Sequence, residues 1–270
     1  MSVHILHVSD LHTGTHEDPD VAQALARLVT KVRPDLIVAS GDLTNRGRRD
    51  EHERAHRLLL SLGAPVLAVP GNHDLPYTVP ARFTSPFAEF ERVWGTAEPT
   101  HVSAGLHVVG LNSARPYRQQ GGALDASQLR AASERLGSAT EGAYRVVVLH
   151  HQLASAPWGV QRKRPLSNRS GVLRALAAAG ADLILGGHTH QGAVDERHEF
   201  EFVDGDARAT VLSTAPGLGR PRPGRVREAR GLQVYDVDET TLTVSTHTWR
   251  EDDWALAARR TFPRGLGPLV

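Results

Sequence analysis

Short runs rich in β-branched residues alternate with helical patterns along most of the chain, and that alternation restricts it to strand-helix-strand units around a sheet. The runs are Val3–Val8, Asp35–Ala39, Pro65–Val69, His107–Leu111, Arg145–Leu149 and Asp182–Leu185. Several are continuously apolar, which predicts strands covered on both faces. Between them, Asp18 as cap and Pro19 at the first helical position open a helix with Val21, Leu25, Leu28, Val29 and Val32 on one face, ended by Pro34. A second helix is expected over Arg49–Leu62, with Ala55, Leu58, Leu59 and Leu62 inward and Gly63 as its stop. A third starts at Asp125, where Gln128 completes a capping-box spacing, and turns Leu129, Ala132 and Leu136 inward. A fourth spans Ser170–Ala179 and ends at Gly180. From about Val194 the pattern changes, and Thr210–Ser213, Leu232–Val237 and Leu242–His247 read as consecutive antiparallel pieces that could form a second sheet. No pattern is assigned beyond Trp249, although Trp254 and Phe262 suit packing against the body.

At 270 residues the chain fits a single domain, 1–270. Lys and Arg number 31 against 30 for Asp and Glu, so no global field recruits nucleic acid or an anionic membrane. The absence of Cys removes disulfides and thiolates and leaves His, Asp, Asn and Glu to hold a metal. The start, MSVHILHVSD, has neither a basic opening nor an uninterrupted apolar stretch, and no 18-residue apolar run follows, so a cytoplasmic protein without membrane insertion is expected. Two loops stand out: Trp158–Arg169, with Arg162, Lys163, Arg164 and Arg169, and Gly217–Arg230, rich in Pro, Gly and Arg. Each reads either as solvated surface or as a rim that grips a substrate phosphate.

The chemical signal is positional. Acidic, amide and imidazole residues recur just past the strands' C-terminal ends, where α/β folds place their sites. Asp10 and His12 follow the first run, one residue apart, so an extended backbone would point both side chains the same way. Gly41-Asp42 follows the second, Gly71-Asn72-His73-Asp74 the third, His150-His151 the fifth, and Gly186-Gly187-His188-Thr189-His190 the sixth. A carboxylate such as Asp42 can give one oxygen to each of two cations about 3.5–4 Å apart. Taken singly, each Asp could be a helix cap and each His a core residue; five strand ends that agree make a metal centre the better reading. Of the remaining histidines, His4, His7, His52, His56, His101, His107, His198 and His247 read as structural or exposed. His16 could reach the site from the first loop, and His151 could face either substrate or core.

These residues resemble the calcineurin-like metallophosphoesterase superfamily, whose pattern of Asp-x-His, Gly-Asp, Gly-Asn-His-Asp or Glu, His, and Gly-His-x-His is complete and in order from Asp10 to His190. The resemblance implies a four-layer α-β-β-α sandwich of two mixed β-sheets flanked by helices, with two metal ions drawn from Mn, Fe or Zn. One would take Asp10, His12, Asp42 and His190, and the other Asp42, Asn72, His150 and His188. His73 would be the catalytic group beside the substrate, with Asp74 orienting it. The stretches Gly41-Asp42-Leu43-Thr44, Gly122–Leu129 and Leu149-His150-His151 look like the class III cyclic-nucleotide phosphodiesterase branch, which implies a small phosphodiester substrate. Asn112 and Gln152 stand where many members have Asp and Pro, and neither is a ligand. The alternatives are a phosphomonoesterase, a nucleotide-sugar or lipid pyrophosphatase, or a non-catalytic scaffold on the same fold.

Overall fold

The apolar runs become strands because each can hide both faces, and in the computed structural model they build two mixed six-stranded sheets. The structure describes residues 2–15, 18–153, 164–191, 200–203, 210–221 and 228–264. His16, His198, Val194, the 158–163 part of the first basic loop and the 222–227 part of the second lie outside the described residues.

The first sheet starts from β1 (Val3–Val8), β2 (Leu36–Ala39) and β3 (Val66–Ala68), which run parallel and are linked by α1 (Pro19–Val32) and α2 (Arg49–Leu60). The chain then crosses through α3 (Ala81–Thr84) and α4 (Ala88–Trp94) to the second sheet. That sheet holds β4 (Thr100–Ser103), β5 (Leu106–Gly110), β6 (Tyr144–Val148), β7 (Leu183–Gly186), β8 (Phe200–Val203) and β9 (Thr210–Thr214), with α5 (Ala126–Gly137) and α6 (Arg169–Ala178) between strands. Its order is β4-β5-β6-β7-β9-β8. The chain returns to the first sheet as β10 (Gly231–Val237), β11 (Thr241–Arg250) and β12 (Asp253–Pro263), giving the order β12-β11-β10-β1-β2-β3.

One expectation about the last third is corrected, and one gap is filled. Its strands do not form a sheet of their own: β9 pairs parallel with β7 in the second sheet, and β10 pairs antiparallel with β1 in the first. Beyond Trp249 lie the last residue of β11 and the long edge strand β12, Asp253–Pro263, whose mostly exposed and half-buried positions hid it from a pattern search, and Trp254 and Phe262 pack against the body as expected.

Three apolar layers hold the sandwich. Ile5, Val38 and Leu67 meet Val108, Val146 and Leu183 between the sheets. Leu25, Leu59, Phe90 and Trp254 cover the first sheet's outer face, and Ala132, Leu136, Val172 and Leu176 the second's. In β1, therefore, Ile5 faces the partner sheet and Leu6 faces the helices, the alternation that a strand buried on both sides requires. Asp125 and Gln128 form the expected reciprocal cap of α5, at 2.9 and 3.1 Å. Asp18 sits at the N-cap position of α1 without a side-chain cap bond; its carboxylate instead takes the Arg230 guanidinium at 2.8 Å.

A cluster of polar groups interrupts the inter-sheet layer. His7 is fully buried, with Nε2 2.8 Å from Ser40 Oγ and Nδ1 3.2 Å from the Tyr235 hydroxyl. Tyr235 in turn donates to Gln233 and lies 2.7 Å from Ser213 Oγ on the other sheet. Burial pushes the His7 imidazole down to about 3, with Asp10 only partly opposing.

An imidazole whose folded pKa lies below its unfolded value stabilises the fold fully above about pH 6.5 and progressively less as pH falls toward 3. Wild-type protein should therefore lose about 1.4 kcal/mol per pH unit more than His7→Gln between about pH 6 and 4; equal slopes in denaturant melts would contradict the buried neutral ring. Trp254→Ala should cost about 3 kcal/mol, read as a lower denaturant midpoint at unchanged m-value, because Trp254 joins β12 to the layer over α1 and packs edge-on against Trp249.

Candidate metal centre

All the strand-end residues singled out above lie along one edge of the sandwich, at the ends of β1, β2, β3, β6 and β7. Their backbone is not the extended one expected. Asp10, His12, Asp42, His188 and His190 have φ of 52, 49, 52, 73 and 54°, in the left-handed region that costs a side-chain-bearing residue about 1–2 kcal/mol. The side chains of Asp10 and His12 converge because both residues turn back at the strand end, with no strand alternation involved. Hydrogen bonds between loops hold these turns: Asp10 N to Gly41 O at 2.9 Å, His12 N to Asp42 O at 3.0 Å, and Gly219 N to Asp10 O at 3.0 Å. Two glycines permit the close approach. A Cβ on Gly71 would lie 2.3 Å from Asp42 Oδ1, and one on Gly187 1.8 Å from Ser9 Oγ.

The structure brings Asp10, His12, Asp42 and His190 together, with one donor atom from each within 4.8 Å of the others, and does the same for Asp42, His150 and His188. Asp42 belongs to both groups. In the first, His12 Nε2 is 3.1 Å from His190 Nε2, which is 2.9 Å from Asp10 Oδ1. In the second, His150 Nε2 is 3.2 Å from His188 Nδ1 and 3.4 Å from Asp42 Oδ2. Asn72 is buried on the turn whose next amide, His73 N, donates to Asp42 Oδ1 at 2.7 Å. Asn72 Oδ1 and Asp42 Oδ2 are buried with no hydrogen-bond partner. Carboxylate oxygens, an unpartnered amide oxygen and imidazole nitrogens that converge in a buried space fit a hard or borderline cation, which would satisfy them at once.

Electrostatics point the same way. Burial pushes the Asp10 and Asp42 carboxyls up, yet the imidazoles outweigh it, His190 and His150 for Asp10 and His150, His73 and His12 for Asp42, and hold both well below the usual range. Burial favours a neutral His150, but the Asp42 and Asp10 carboxylates raise it to about 9. His12 stays well below its ordinary value, mainly through burial, with Asp42 opposing and His190 and His73 adding. His150 Nδ1 donates to the Ser40 carbonyl at 2.8 Å, which leaves Nε2 aimed at Asp42.

His73 stands beside this cluster, its ring edge-on to His12 at 4.8 Å. Its Nδ1 lies 3.0 Å from the Asn45 carbonyl and 3.0 Å from the Tyr77 hydroxyl. Since a carbonyl only accepts, Nδ1 carries the proton. Asp74 does not orient His73. Its carboxylate accepts from Gly71 N at 2.8 Å, Thr44 N at 2.9 Å, Leu43 N at 3.2 Å and Thr44 Oγ1 at 3.0 Å. Successive residues of this short 3-10 turn diverge, so Asp74 folds back and ties the loop after β2 to the loop after β3. His151 is fully buried, 2.9 Å from Ser113 Oγ, with its ring 4.7 Å from that of His188, and so faces the core.

Several supporting groups left no mark in the sequence pattern. Ser9 Oγ donates to Asp10 Oδ2 at 2.7 Å, and His188 N donates to the same oxygen at 2.9 Å. Glu228 Oε2 approaches His190 Nδ1 at 3.8 Å, and Leu218 N bonds Ser9 O at 2.8 Å. Gly217, Leu218, Gly219 and Glu228 of the Gly217–Arg230 loop thus pack against the centre, while Arg220 is exposed.

A model of the calcineurin-like phosphoesterase family matches residues 3–192. The chain is similar to a probable cyclic nucleotide phosphodiesterase of Synechococcus sp., 29% identical over 226 residues, which are 77% of this chain and 82% of that one. It is also similar to the 3′,5′-cyclic adenosine monophosphate phosphodiesterase CpdA of Pseudomonas aeruginosa, 30% identical over 259 residues, covering 87% and 86%. Among solved structures, purple acid phosphatase PPD1 from yellow lupin superposes with a TM-score of 0.70 at 12% identity, over 98% of this chain and 54% of that one. GAP50, the anchor in the inner membrane complex of Plasmodium, superposes with a TM-score of 0.65 at 11% identity, over 98% and 90%. At such identities the structural likeness concerns the fold alone. The family match spans the whole stretch that carries the six clustered residues, Asn72 and His73, and the chain belongs to the calcineurin-like phosphoesterase family.

Proposed function

We propose that this chain is a two-metal phosphodiesterase acting on cyclic nucleotides. The observation that carries the reading is the pair of buried donor groups joined at Asp42, supported by relatives named as cyclic nucleotide phosphodiesterases over most of the chain. Asp10, His12, Asp42 and His190 would hold one cation, and Asp42, Asn72, His150 and His188 the other. Bound there, such ions bring the pKa of a water toward neutrality and neutralise phosphate oxygens.

The chain's own groups supply the rest. Burial of the ligands keeps bulk water from competing for the phosphate, and the hydrogen bonds from Ser9, His188 N and His73 N fix which carboxylate oxygens remain available. With Nδ1 committed to Asn45, His73 has Nε2 left to hold a proton for the departing oxygen.

Purified, Mn-loaded protein should hydrolyse bis(p-nitrophenyl) phosphate and 3′,5′- or 2′,3′-cyclic nucleotides. Turnover of the first without either of the others would overturn the cyclic-nucleotide assignment. Less than one bound metal per chain, with no esterase activity, would favour the scaffold. Asp42→Asn should abolish activity and weaken both metals, because it removes the shared carboxylate. His73→Ala should retain metal, measured by elemental analysis, and lose about 10²-fold or more in kcat on a cyclic nucleotide. Its loss on bis(p-nitrophenyl) phosphate should be much smaller, since p-nitrophenolate leaves without a proton; equal losses on both substrates would remove His73 from the acid role.

A further inference from the structure

One charged feature on the same edge has no part in this chemistry. The segment after β5 and the segment leading into α6 flank an open cavity of about 1180 Å³. Arg118, Arg164 and Arg169 line it, and no Asp or Glu does among the described residues. Among the described residues none of the three guanidinium groups has a carboxylate partner, in contrast to the neighbouring Arg115, which lies 3.7 Å from Asp125. The first turn of α6 forms part of the same wall, and no side chain caps it: the Asn168 carboxamide is turned away to donate to Leu124 O at 2.6 Å. Three guanidinium groups with no carboxylate partner among the described residues and the positive end of a ten-residue helix therefore face one space, in a chain whose net charge is only +1.

The cavity is built on the loops of the metal centre. Leu166 N bonds Gln152 O at 3.1 Å, two residues beyond His150. Ser167 N bonds Gly122 O at 3.0 Å, and Gly122 packs so tightly on the His151 ring that a Cβ there would come within 2.5 Å of Nδ1. On the opposite lip, Tyr117 is exposed and stacks on Phe83 with ring centroids 5.5 Å apart. Arg82 clamps that lip to the His73 turn by donating to both Pro116 O and Pro76 O.

Guanidinium groups bind phosphate through paired, charge-assisted hydrogen bonds, and an exposed aromatic stack suits a planar base. We propose that this cavity is an anion site that holds a second phosphate group of the substrate, in addition to the diester at the metal centre. The inference rests on the phosphodiesterase reading for the position of the scissile bond, and it narrows the substrate to a nucleotide that carries a phosphate besides the one hydrolysed.

Two measurements test it. Inorganic pyrophosphate, titrated calorimetrically into the chelator-treated full chain, should bind saturably and more weakly as salt rises, and Arg118→Gln/Arg164→Gln/Arg169→Gln should weaken it at least about tenfold. These side chains are at the surface, and Arg164→Gln alone should give a smaller loss in the same direction. No binding by wild type, or equal binding by the triple variant, overturns the site. With Mn-loaded protein, KM for adenosine 2′,3′-cyclic phosphate bearing a 5′-phosphate should be about tenfold lower than for the unphosphorylated compound, and the gap should close in the triple variant. Equal KM for the two compounds in wild type overturns the second-phosphate assignment. A chain that hydrolyses neither compound nor bis(p-nitrophenyl) phosphate would sink the phosphodiesterase reading by itself, while the pyrophosphate titration would still decide the arginine cavity.

Discussion

Two fully buried carboxylates, Asp10 and Asp42, set the terms for this edge of the molecule. An anion taken out of water is tolerated only where charge and hydrogen bonds replace its hydration. Each carboxylate has one oxygen bonded to protein donors, Asp10 Oδ2 to Ser9 and His188 N and Asp42 Oδ1 to His73 N. The other oxygen of each is turned toward imidazoles. The four clustered histidines, the close-packed glycines and the tight turns accompany that division, with imidazoles from both sheets approaching the free carboxylate oxygens.

Several of the bonds that achieve this run between the sheets. His188 N reaches from the loop after β7 to Asp10 after β1, and His150 Nδ1 reaches from the end of β6 to Ser40 after β2. The centre is therefore sensitive to sheet packing: sliding one sheet on the other would part these donors and acceptors together. Five left-handed residues add backbone strain at the same place, which the ladder of bonds between the loops after β1 and β2 offsets. The His7–Tyr235–Ser213 contacts a few residues deeper bind the same two sheets through buried polar groups. The edge is thus held from below by packing and from within by polar geometry.

Charge on this protein is organised locally. Positive and negative side chains nearly cancel overall, yet the imidazole–carboxylate cluster and the arginine-lined cavity occupy adjoining loops.

Much of the fold was legible because it rests on local patterns. The continuous apolar runs named six strands to within a residue or two, and Asp125 with Gln128 announced α5. The edge strands β4 and β12 were not legible, since their exposed positions break up any continuous apolar run; the antiparallel pairing of β10 with β11 was read correctly, but β9 was misplaced beside β10 because sheet membership is decided by contacts between residues distant in sequence. Within the site, donor types at strand ends were written in the chain itself, and the structure brings Asp10, His12, Asp42, His150, His188 and His190 together in two groups joined at Asp42. Tertiary structure alone decided that Asp10 and His12 converge through left-handed turns, that Asp74 braces two loops instead of orienting His73, that Asn45 takes that role, and that Glu228 approaches His190 from 38 positions away along the chain. The physical reason is one of range: a residue's chemistry and local periodicity are properties of its neighbours in sequence, whereas the direction of a lone pair depends on how two sheets pack.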